Sequence, residues 1–248
     1  MANYTQYGFF FDQSRCTACQ ACVVACKDWN GLSAGPEKWL RVFSYEKGAF
    51  PNVRIHTLFV PCFHCENPVC VDAADGAMYK EEKYGAVLID PAKANDLRKA
   101  AAACPYGAIV FQSDAFDAEA SKCTMCVDRL EQNLLPICVT ACPTRALDFG
   151  KMDDLRAKYG SVSDLEDLPP SSITKPAAIF KAHGQKKQVV PYDAAKALLL
   201  LAKRDPLPQL YYGPTDVTDT QGYVKKSKPM LKPDNTEELQ YFTENDNS

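Results

Sequence analysis

The densest feature of the sequence is a run of four cysteines within eleven residues, Cys16, Cys19, Cys22 and Cys26. Three thiols at successive spacings of three residues can wrap one 4Fe-4S cube, and the fourth, one helical turn later, is placed to reach a neighbouring cluster. Zinc is the alternative metal, but it binds four ligands, usually as two separated C-x2-C pairs, and has no use for a third close thiol. The motif therefore predicts iron-sulfur ligation and implies two clusters.

Chain length and charge limit the classes of function. A chain of 248 residues fits one large domain or two small ones. Its hydrophobic content of 46% and charged content of 24% are typical of a globular protein. A net charge of -3 lacks the excess of positive charge that is typical of nucleic-acid-binding proteins, so we expect no nucleic-acid partner.

Targeting signals are weak throughout the sequence. Residues 1–8 lack a basic region, an apolar region and a twin-arginine pair, so we expect no export signal belonging to this chain. The longest apolar run, residues 194–202, is interrupted by Lys196 and is about half the length that spans a bilayer. We therefore expect no membrane span and a cytoplasmic location. The alternative is periplasmic, with export together with a signal-bearing catalytic partner.

The twelve cysteines could in principle form a disulfide framework, which requires an oxidising compartment. All twelve lie between Cys16 and Cys142, however, and they fall into clustered motifs. We therefore interpret all of them as metal ligands.

A second motif has lost its fourth thiol. Cys62, Cys65 and Cys70 form a triplet, and the fourth cysteine would be expected at Ala74. Further on, Cys104-Pro looks like the end of another motif whose three earlier thiols are missing. The four positions without a cysteine are Ala74, Ala94, Leu97 and Ala100. If motifs exchange their fourth ligands pairwise, these positions would be the ligands of one cluster, which predicts that a whole cluster is absent.

The last motif comprises Cys123, Cys126, Cys138 and Cys142. Exchange of fourth ligands between the first and last motifs divides the twelve thiols into three sets with none left over. The predicted sets are Cys16, Cys19, Cys22 and Cys142; Cys26, Cys123, Cys126 and Cys138; and Cys62, Cys65, Cys70 and Cys104. Zinc or disulfide bonding gives no reason for four particular cysteines to vanish together. The pairing of motifs is a hypothesis.

Other polar residues near the motifs have weaker signals. His64 lies between two ligand cysteines, but no thiol is missing from its set, so we expect hydrogen bonding or packing rather than ligation. Lys27, Lys122 and Arg129 lie beside ligand cysteines, where a cation could raise a cluster's reduction potential, steer a partner, or simply be solvated. His56 and His183 belong to no cluster of potential ligands, so no ligand role is predicted for them. Tyr106 and Met125 are expected to pack against neighbouring side chains.

The pattern of apolar residues and turn signals predicts short elements. Strands are expected at residues 7–11, 40–45, 53–60 and 86–90, with a hairpin between the second and third. Helices are expected from Cys26 to Trp29 and at residues 95–103, 152–159 and 193–204. Five prolines after residue 205 exclude long regular elements from the tail. We expect the tail to lie extended over other surfaces, with disorder as the alternative.

These motifs, followed by residues 145–150, resemble the electron-transfer iron-sulfur (beta) subunits of the dimethyl sulfoxide reductase family of molybdopterin oxidoreductases. The resemblance covers about residues 5–180. It implies an α+β fold with two ferredoxin-like βαβ halves, related by a pseudo-twofold axis as in bacterial ferredoxins, with a hairpin insertion and a mostly irregular C-terminal extension. The implied domains are 1–150, in which residues 5–50 with 115–150 form one half and 51–114 the other, and 151–248, packing on the ferredoxin body and the partner.

The same resemblance implies a non-catalytic subunit that relays electrons to or from a partner chain. That partner would hold molybdenum or tungsten on bis-molybdopterin guanine dinucleotide. Family members typically carry four clusters, and the absent one is the cluster that faces a membrane anchor. An anchor subunit is therefore not expected, and a soluble electron carrier is a further candidate partner.

The alternatives to electron relay are an accessory subunit of a redox-neutral enzyme and a self-contained cluster enzyme. The three-cluster pattern is similar to that of the small subunit of pyrogallol-phloroglucinol transhydroxylase, so the chain could be an accessory subunit of a redox-neutral enzyme, with clusters as an electron reservoir or as structural elements. A self-contained cluster enzyme would need an iron without a cysteine ligand, and the count of thiols leaves none.

Overall fold

The computed structural model describes residues 5–49, 53–93, 97–113, 115, 118–184 and 194–203. The chain divides into two compact units, Met1–Lys186 and Lys187–Ser248. All twelve cysteines lie in the first unit. The described residues of the second unit form one helix and the residue that follows it.

The described residues form short strands and short helices. The strands are β1 Tyr7–Asp12, β2 Arg41–Lys47, β3 Arg54–Val60, β4 Met78–Lys80, β5 Val87–Ile89, β6 Val110–Phe111, β7 Ala120–Ser121, β8 Leu147–Lys151 and β9 Ala178–Lys181. The α-helices are α1 Ala21–Trp29, α2 Val69–Asp72, α3 Arg98–Ala103, α4 Val127–Leu130, α5 Ile137–Thr140, α6 Met152–Tyr159, α7 Ser171–Thr174 and α8 Ala194–Ala202, with one 3-10 turn at Pro91–Lys93. The fold is therefore a mixture of α and β structure, as the sequence predicts.

A three-stranded sheet organises the first unit around β1. The strand order is β8-β1-β9, with β1 antiparallel to β8 and parallel to β9. Successive side chains of a strand point to opposite faces. Phe9 and Phe11 accordingly enter the main core, whereas Phe10 packs on the other face with Met152 and Ile179. Both faces of β1 are buried, which explains its continuous aromatic sequence.

The remaining strands pair as separate two-stranded ribbons. β2 and β3 form the predicted antiparallel hairpin, in register from Arg41 opposite Val60 to Lys47 opposite Arg54. β4 pairs with β5, and β6 pairs with β7, both antiparallel. The predicted strands at residues 7–11, 40–45, 53–60 and 86–90 correspond to β1, β2, β3 and β5.

The first residues of the helices agree less closely with the predictions than their last residues do. α6 has the predicted bounds and is followed by Gly160, whose φ of 87° favours glycine. α1 begins at Ala21 rather than after Cys26, so it carries both Cys22 and Cys26. α3 begins at Arg98, and residues 94–96 lie outside the described part of the chain.

The C-terminal expectations are only partly covered. α8 occupies most of the predicted span 193–204, and both end residues of that span lie outside the described residues. The five prolines of the tail also lie outside them. Within the described residues, no helix is long and apolar enough to cross a membrane.

An ion pair between a buried aspartate and an exposed lysine joins the two parallel strands of the sheet. Asp12 at the end of β1 is 3% exposed, and its Oδ2 lies 2.7 Å from Nζ of Lys181 on β9. Burial acts to raise the pKa of Asp12, but hydrogen bonds from Lys181 and Ser14 outweigh it and hold the pKa below its usual value. The carboxylate therefore stays ionised and fixes the register of β9 against β1.

The close packing of β1 gives a prediction at Gly8. A Cβ atom on Gly8 would collide with the carbonyl group of Ala177, whose carbon lies 2.8 Å away, and with Sδ of Met152. Gly8→Ala should therefore destabilise the protein by about 1–3 kcal/mol through overpacking. Gly150, opposite Gly8 on β8, is the matched control, because a Cβ there meets only Leu155 at 3.9 Å.

The measurement is the urea midpoint of the anaerobically purified protein for both variants. Gly150→Ala should change the free energy of unfolding by no more than about 0.5 kcal/mol. Equal midpoints for the two variants would show that β1 does not lie this close to the 177 carbonyl.

Candidate iron-sulfur centres

The first group of thiols lines one cavity in the main core. Cys16 and Cys19 come from the loop after β1, Cys22 from α1, and Cys142 from the turn after α5. Apolar side chains, Phe11 among them, form the other walls. Burial, with the negative charges of Cys16 and Cys142, raises the pKa of Cys22 to about 12. The structure thus brings together the four thiols of the first predicted set.

The second group lines a neighbouring cavity. Cys26 comes from α1, Cys123 and Cys126 flank a tight loop before α4, and Cys138 lies on α5. Burial and the charge of Cys126 raise the pKa of Cys26 to about 12. Because α1 packs against α5, each of these helices serves both cavities: α1 through Cys22 and Cys26, and α5 through Cys138 and the turn that holds Cys142.

The third group comes from segments outside the three-stranded sheet. Cys62 follows β3, Cys65 is in the next loop, Cys70 lies on α2, and Cys104 follows α3. Burial raises the pKa of Cys65 to about 12, and the charges of Cys62, Cys104 and Cys70 act in the same direction. Burial, with Cys62 and Cys104, raises the pKa of Cys70 to about 11. The four thiols of the third predicted set are therefore close enough to repel one another.

Each group of thiols receives at least one backbone hydrogen bond at sulfur. Three of these N–H···S bonds are Ala146 to Cys142 at 3.3 Å, Met125 to Cys123 at 3.4 Å and Ala108 to Cys104 at 3.5 Å. Asn30 adds a side-chain N–H to the sulfur of Cys26 at 3.6 Å. Hydrogen bonds of this kind stabilise negative charge on sulfur and help to set a cluster's reduction potential.

The loops between the thiols contain left-handed backbone at residues other than glycine. Ala18 has φ of 53°, Gln20 of 60°, His64 of 46° and Met125 of 60°. Such conformations cost roughly 1–2 kcal/mol each for L-residues and concentrate at functional sites. The strained loops are those that curl the thiols around the cavities.

The thiols fit a cluster better than they fit a disulfide or one metal ion. All twelve cysteines are free thiols. Among the residues that the structure describes, no three or more His, Cys, Asp or Glu side chains are arranged to hold a single metal ion. A zinc ion draws its thiolates to about 2.3 Å from one centre. A cube separates them, because each thiolate binds a different iron.

His64 is fully buried beside the third group. Its Nδ1 accepts a hydrogen bond from the N–H of Val87 at 2.9 Å, which puts the ring proton on Nε2. Burial, with the charges of Lys122 and Lys80, holds the pKa of His64 well below its usual value, so the ring is neutral. Nε2 is buried without a hydrogen-bond partner in the described structure. The predicted hydrogen bonding is present; it goes to the backbone of β5.

The three cations beside ligand cysteines differ in burial. Lys27 is half-buried and donates to the carbonyl of Gly35 at 3.3 Å. Arg129 is buried, with Nε donating to Leu135 at 2.8 Å and its guanidinium 4.4 Å from the ring of Trp29. Lys122 is also buried, so the solvated alternative is wrong for Lys122 and Arg129.

Two further residues near the third group had no signal in the cysteine pattern. Nζ of Lys80 donates to the carbonyl of Cys65 at 2.6 Å, and burial lowers its pKa to about 8. The hydroxyl of Thr174, on α7, hydrogen-bonds to Cys65 and opposes the rise of its pKa. Thr174 also contacts the hydroxyl of Tyr106 at 3.2 Å. No sequence motif connects α7 to a cysteine more than a hundred residues earlier.

The positions that lack a cysteine also come together. Ala74, Leu97 and Ala100 are buried in one apolar cluster, with Met78 and Ile109 as neighbours. Ala94, the fourth such position, lies outside the described residues. The three described positions fill a common volume with apolar side chains.

The distribution of thiols agrees with comparison to known proteins. The family model of the 4Fe-4S dicluster domain matches residues 54–152, which contain the third group and the last motif. The matched domain and the twelve cysteines together support 4Fe-4S clusters in this chain.

Several curated proteins are similar over most of their length. One is a component of the anaerobic dimethyl sulfoxide reductase of Escherichia coli, 39% identical over 193 residues, which cover 74% of this chain and 92% of the relative. The beta subunit of formate dehydrogenase 2 of Nitratidesulfovibrio vulgaris is 38% identical, covering 60% and 78%. A component of the sulfite dehydrogenase of Allochromatium vinosum is 37% identical, covering 70% and 81%. The chain therefore belongs to the dimethyl sulfoxide reductase family of iron-sulfur subunits, the electron-transfer subunits of oxidoreductase complexes.

Proposed function

We propose that the chain holds three 4Fe-4S clusters and relays single electrons to or from a molybdenum or tungsten site, carried by bis-molybdopterin guanine dinucleotide, on a partner catalytic subunit. The observation that carries the proposal is the convergence of twelve free thiols into three groups of four. When bound, each cluster takes up or releases one electron at a time. The chain's own residues hold the clusters, donate hydrogen bonds to their sulfurs and exclude water.

The proposed ligand sets cross between the first and last motifs. They are Cys16, Cys19, Cys22 and Cys142 for the first cluster; Cys26, Cys123, Cys126 and Cys138 for the second; and Cys62, Cys65, Cys70 and Cys104 for the third. The crossing is supported by the walls of the two cavities, each of which takes three thiols from one motif and one from the other.

The count of three rests on the apolar cluster at the positions without cysteine. Leu97 is 1% exposed and Ala100 is fully buried, so hydrocarbon groups occupy the space between α2 and α3. Neither side chain offers a sulfur, nitrogen or oxygen atom that could bind iron. A fourth cluster would need both an empty volume and four ligands, and the described part of this site offers neither.

The repeated helix pairing supports the proposed two-half arrangement. α1 packs on α5 beside the β1–β8 pair, and α2 packs on α3 near the β4–β5 pair. We propose that the first pair belongs to a half built from about residues 5–50 and 115–150, and the second to a half built from about 51–114. The proposed C-terminal extension comprises residues 151–248.

The partner follows from the kind of protein that the relatives are. Their names each describe one component of a larger enzyme, a reductase in one case and a dehydrogenase in the other two. A subunit of this kind exchanges electrons with the chain that binds the substrate. We therefore expect this chain to be isolated in a complex with a larger subunit that carries the metal-pterin site.

The first prediction from this proposal concerns metal content. Three ligand sets of four thiols should hold about twelve iron and about twelve sulfide per chain. Chemical analysis of anaerobically purified protein, normalised to the amino-acid content, measures both. Iron near sixteen would show a fourth cluster, and zinc in place of iron would overturn the assignment.

The second prediction concerns the crossing of ligands. If Cys142 belongs with the first motif, Cys142→Ala should remove or alter the same EPR signal as Cys16→Ala. Cys123→Ala, in the same motif as Cys142, should affect a different signal. The three variants are compared as reduced, anaerobically purified proteins. A signal shared by Cys142→Ala and Cys123→Ala, with Cys16→Ala different, would show that each motif keeps its own cluster.

The third prediction tests the partner. The native complex, purified anaerobically through a tag on this chain, should contain about one molybdenum or tungsten atom and about two pterin dinucleotides for each copy of the chain. A substrate of the catalytic subunit should then change the EPR signals of the clusters within the turnover time, and Cys142→Ala should slow that change. Purification with an enzyme subunit that carries no molybdenum, tungsten or pterin would contradict the proposal.

A further inference from the structure

Lys122 is one of the three cations that the sequence places beside ligand cysteines, and the structure buries it. It follows β7, directly before Cys123, and only 3% of its surface is exposed. Its Nζ donates hydrogen bonds to the carbonyl of Val87 on β5 and to the carbonyl of Cys123 at 2.8 Å. The ammonium group is therefore anchored at a fixed point between β5 and the loop that carries Cys123.

The surroundings of Lys122 leave its charge uncompensated by other side chains. Throughout the described ranges, no carboxylate forms an ion pair with Lys122. Two carbonyl groups satisfy two of its three N–H donors but carry no net charge. Burying an ammonium group costs free energy unless an anion lies close to it. The thiolates of the neighbouring groups, or clusters bound to them, would supply that negative charge.

The thiols near Lys122 belong to two different groups. Cys123, in the second group, is the next residue along the chain, and its carbonyl accepts a hydrogen bond from Nζ of Lys122 at 2.8 Å. Val87, whose carbonyl accepts the other bond, belongs to the apolar cluster against which Cys70 of the third group packs. The N–H of Val87 also donates to Nδ1 of His64, which is buried beside the third group. Lys122 therefore lies beside both groups.

We infer that Lys122 is the cation shared by the second and third cluster sites, and that it raises the reduction potentials of both clusters. The inference rests on the ligand sets proposed above. Reduction adds a negative charge to a cluster, and a fixed ammonium group in a poorly solvated site stabilises the reduced state more than the oxidised state. Lys122 touches no substrate and acts as a positioning residue for charge.

Lys80 provides a comparison, because the thiols that act on it all belong to one group; the carboxylate of Glu66 acts on it as well. It donates to the carbonyls of Cys65 and His64, and the thiols that act on it are Cys65, Cys62 and Cys70. All three thiols belong to the third set. Removing the charge of Lys80 should therefore affect only the third cluster, whereas removing that of Lys122 should affect two.

The experiment is a redox titration of the anaerobically purified full-length protein, followed by EPR. The signals are first assigned with Cys16→Ala, Cys138→Ala and Cys104→Ala, one variant for each set. Lys122→Met should lower the equilibrium constant for one-electron reduction of the second and third clusters at least tenfold. This corresponds to lowering each reduction potential by about 59 mV. The first cluster should not change. Lys122→Arg should keep the original potentials, because it keeps the charge.

Three further variants separate charge from structure. Lys122→Gln keeps hydrogen-bond donors but not the charge, so it should shift the same two potentials as Lys122→Met. Lys80→Met should shift the third potential alone. Lys27 lies beside Cys26, and its hydrogen bond to Gly35 is exposed. Lys27→Met should therefore change no potential by as much as tenfold, because solvent screens the charge that it removes.

The outcomes are distinguishable from failure of the proposed function. Absence of the second or third cluster in the unmodified protein would overturn the ligand sets. If all clusters are present and both neutral variants of Lys122 keep their iron with unchanged potentials, the inference about Lys122 is wrong and the ligand sets stand. Iron loss in both neutral variants but not in Lys122→Arg would support the shared charge, and iron loss in all three would overturn it.

Discussion

The structure depends on the burial of thiols that the fold forces together. Burial, with the charge of neighbouring thiols, raises the pKa of Cys22, Cys26 and Cys65 to about 12. Without a bound metal these sulfurs would remain protonated, because a dry core disfavours the charged thiolate. On the proposed ligand sets, iron would replace the protons, so cluster binding and folding would be thermodynamically coupled. The N–H···S bonds and left-handed loops then hold the sulfurs in place.

The cysteine motifs could be recognised in the sequence because each is short and has a fixed spacing. The spacing of cysteines within a motif is set by the size of a 4Fe-4S cube. The run from Cys16 to Cys26 therefore predicts cluster binding without any information on tertiary structure. The positions without a cysteine were also grouped by the sequence prediction, and the structure packs Ala74, Leu97 and Ala100 into one apolar cluster. Whether each predicted set binds one cluster stays a prediction. Strands such as β1 were predictable for a similar reason, since an aromatic run between turn signals has few other uses.

What the sequence did not reveal depends on contacts between distant segments. Nothing in residues 178–181 indicates that they lie parallel to β1, yet β9 completes the central sheet and is locked by the Asp12–Lys181 ion pair. The sequence places Lys122 beside a ligand just as it places Lys27, but only the packing of β5 and β7 buries the former. Helix starts were also missed, because α1 begins among the ligand residues, where no capping residue marks it.

The order of strands in the central sheet has a consequence for biosynthesis. β1 is the first strand made, yet its neighbours β8 and β9 are among the last elements of the first unit. A ribosome releases the chain from its N-terminus, so the middle strand must wait for both partners. On the proposed ligand sets, the first two sites also unite thiols from opposite ends of this unit. The thiols of the first motif therefore stay without their full ligand sets until translation has passed Cys142, whereas the third set is complete once Cys104 has been made.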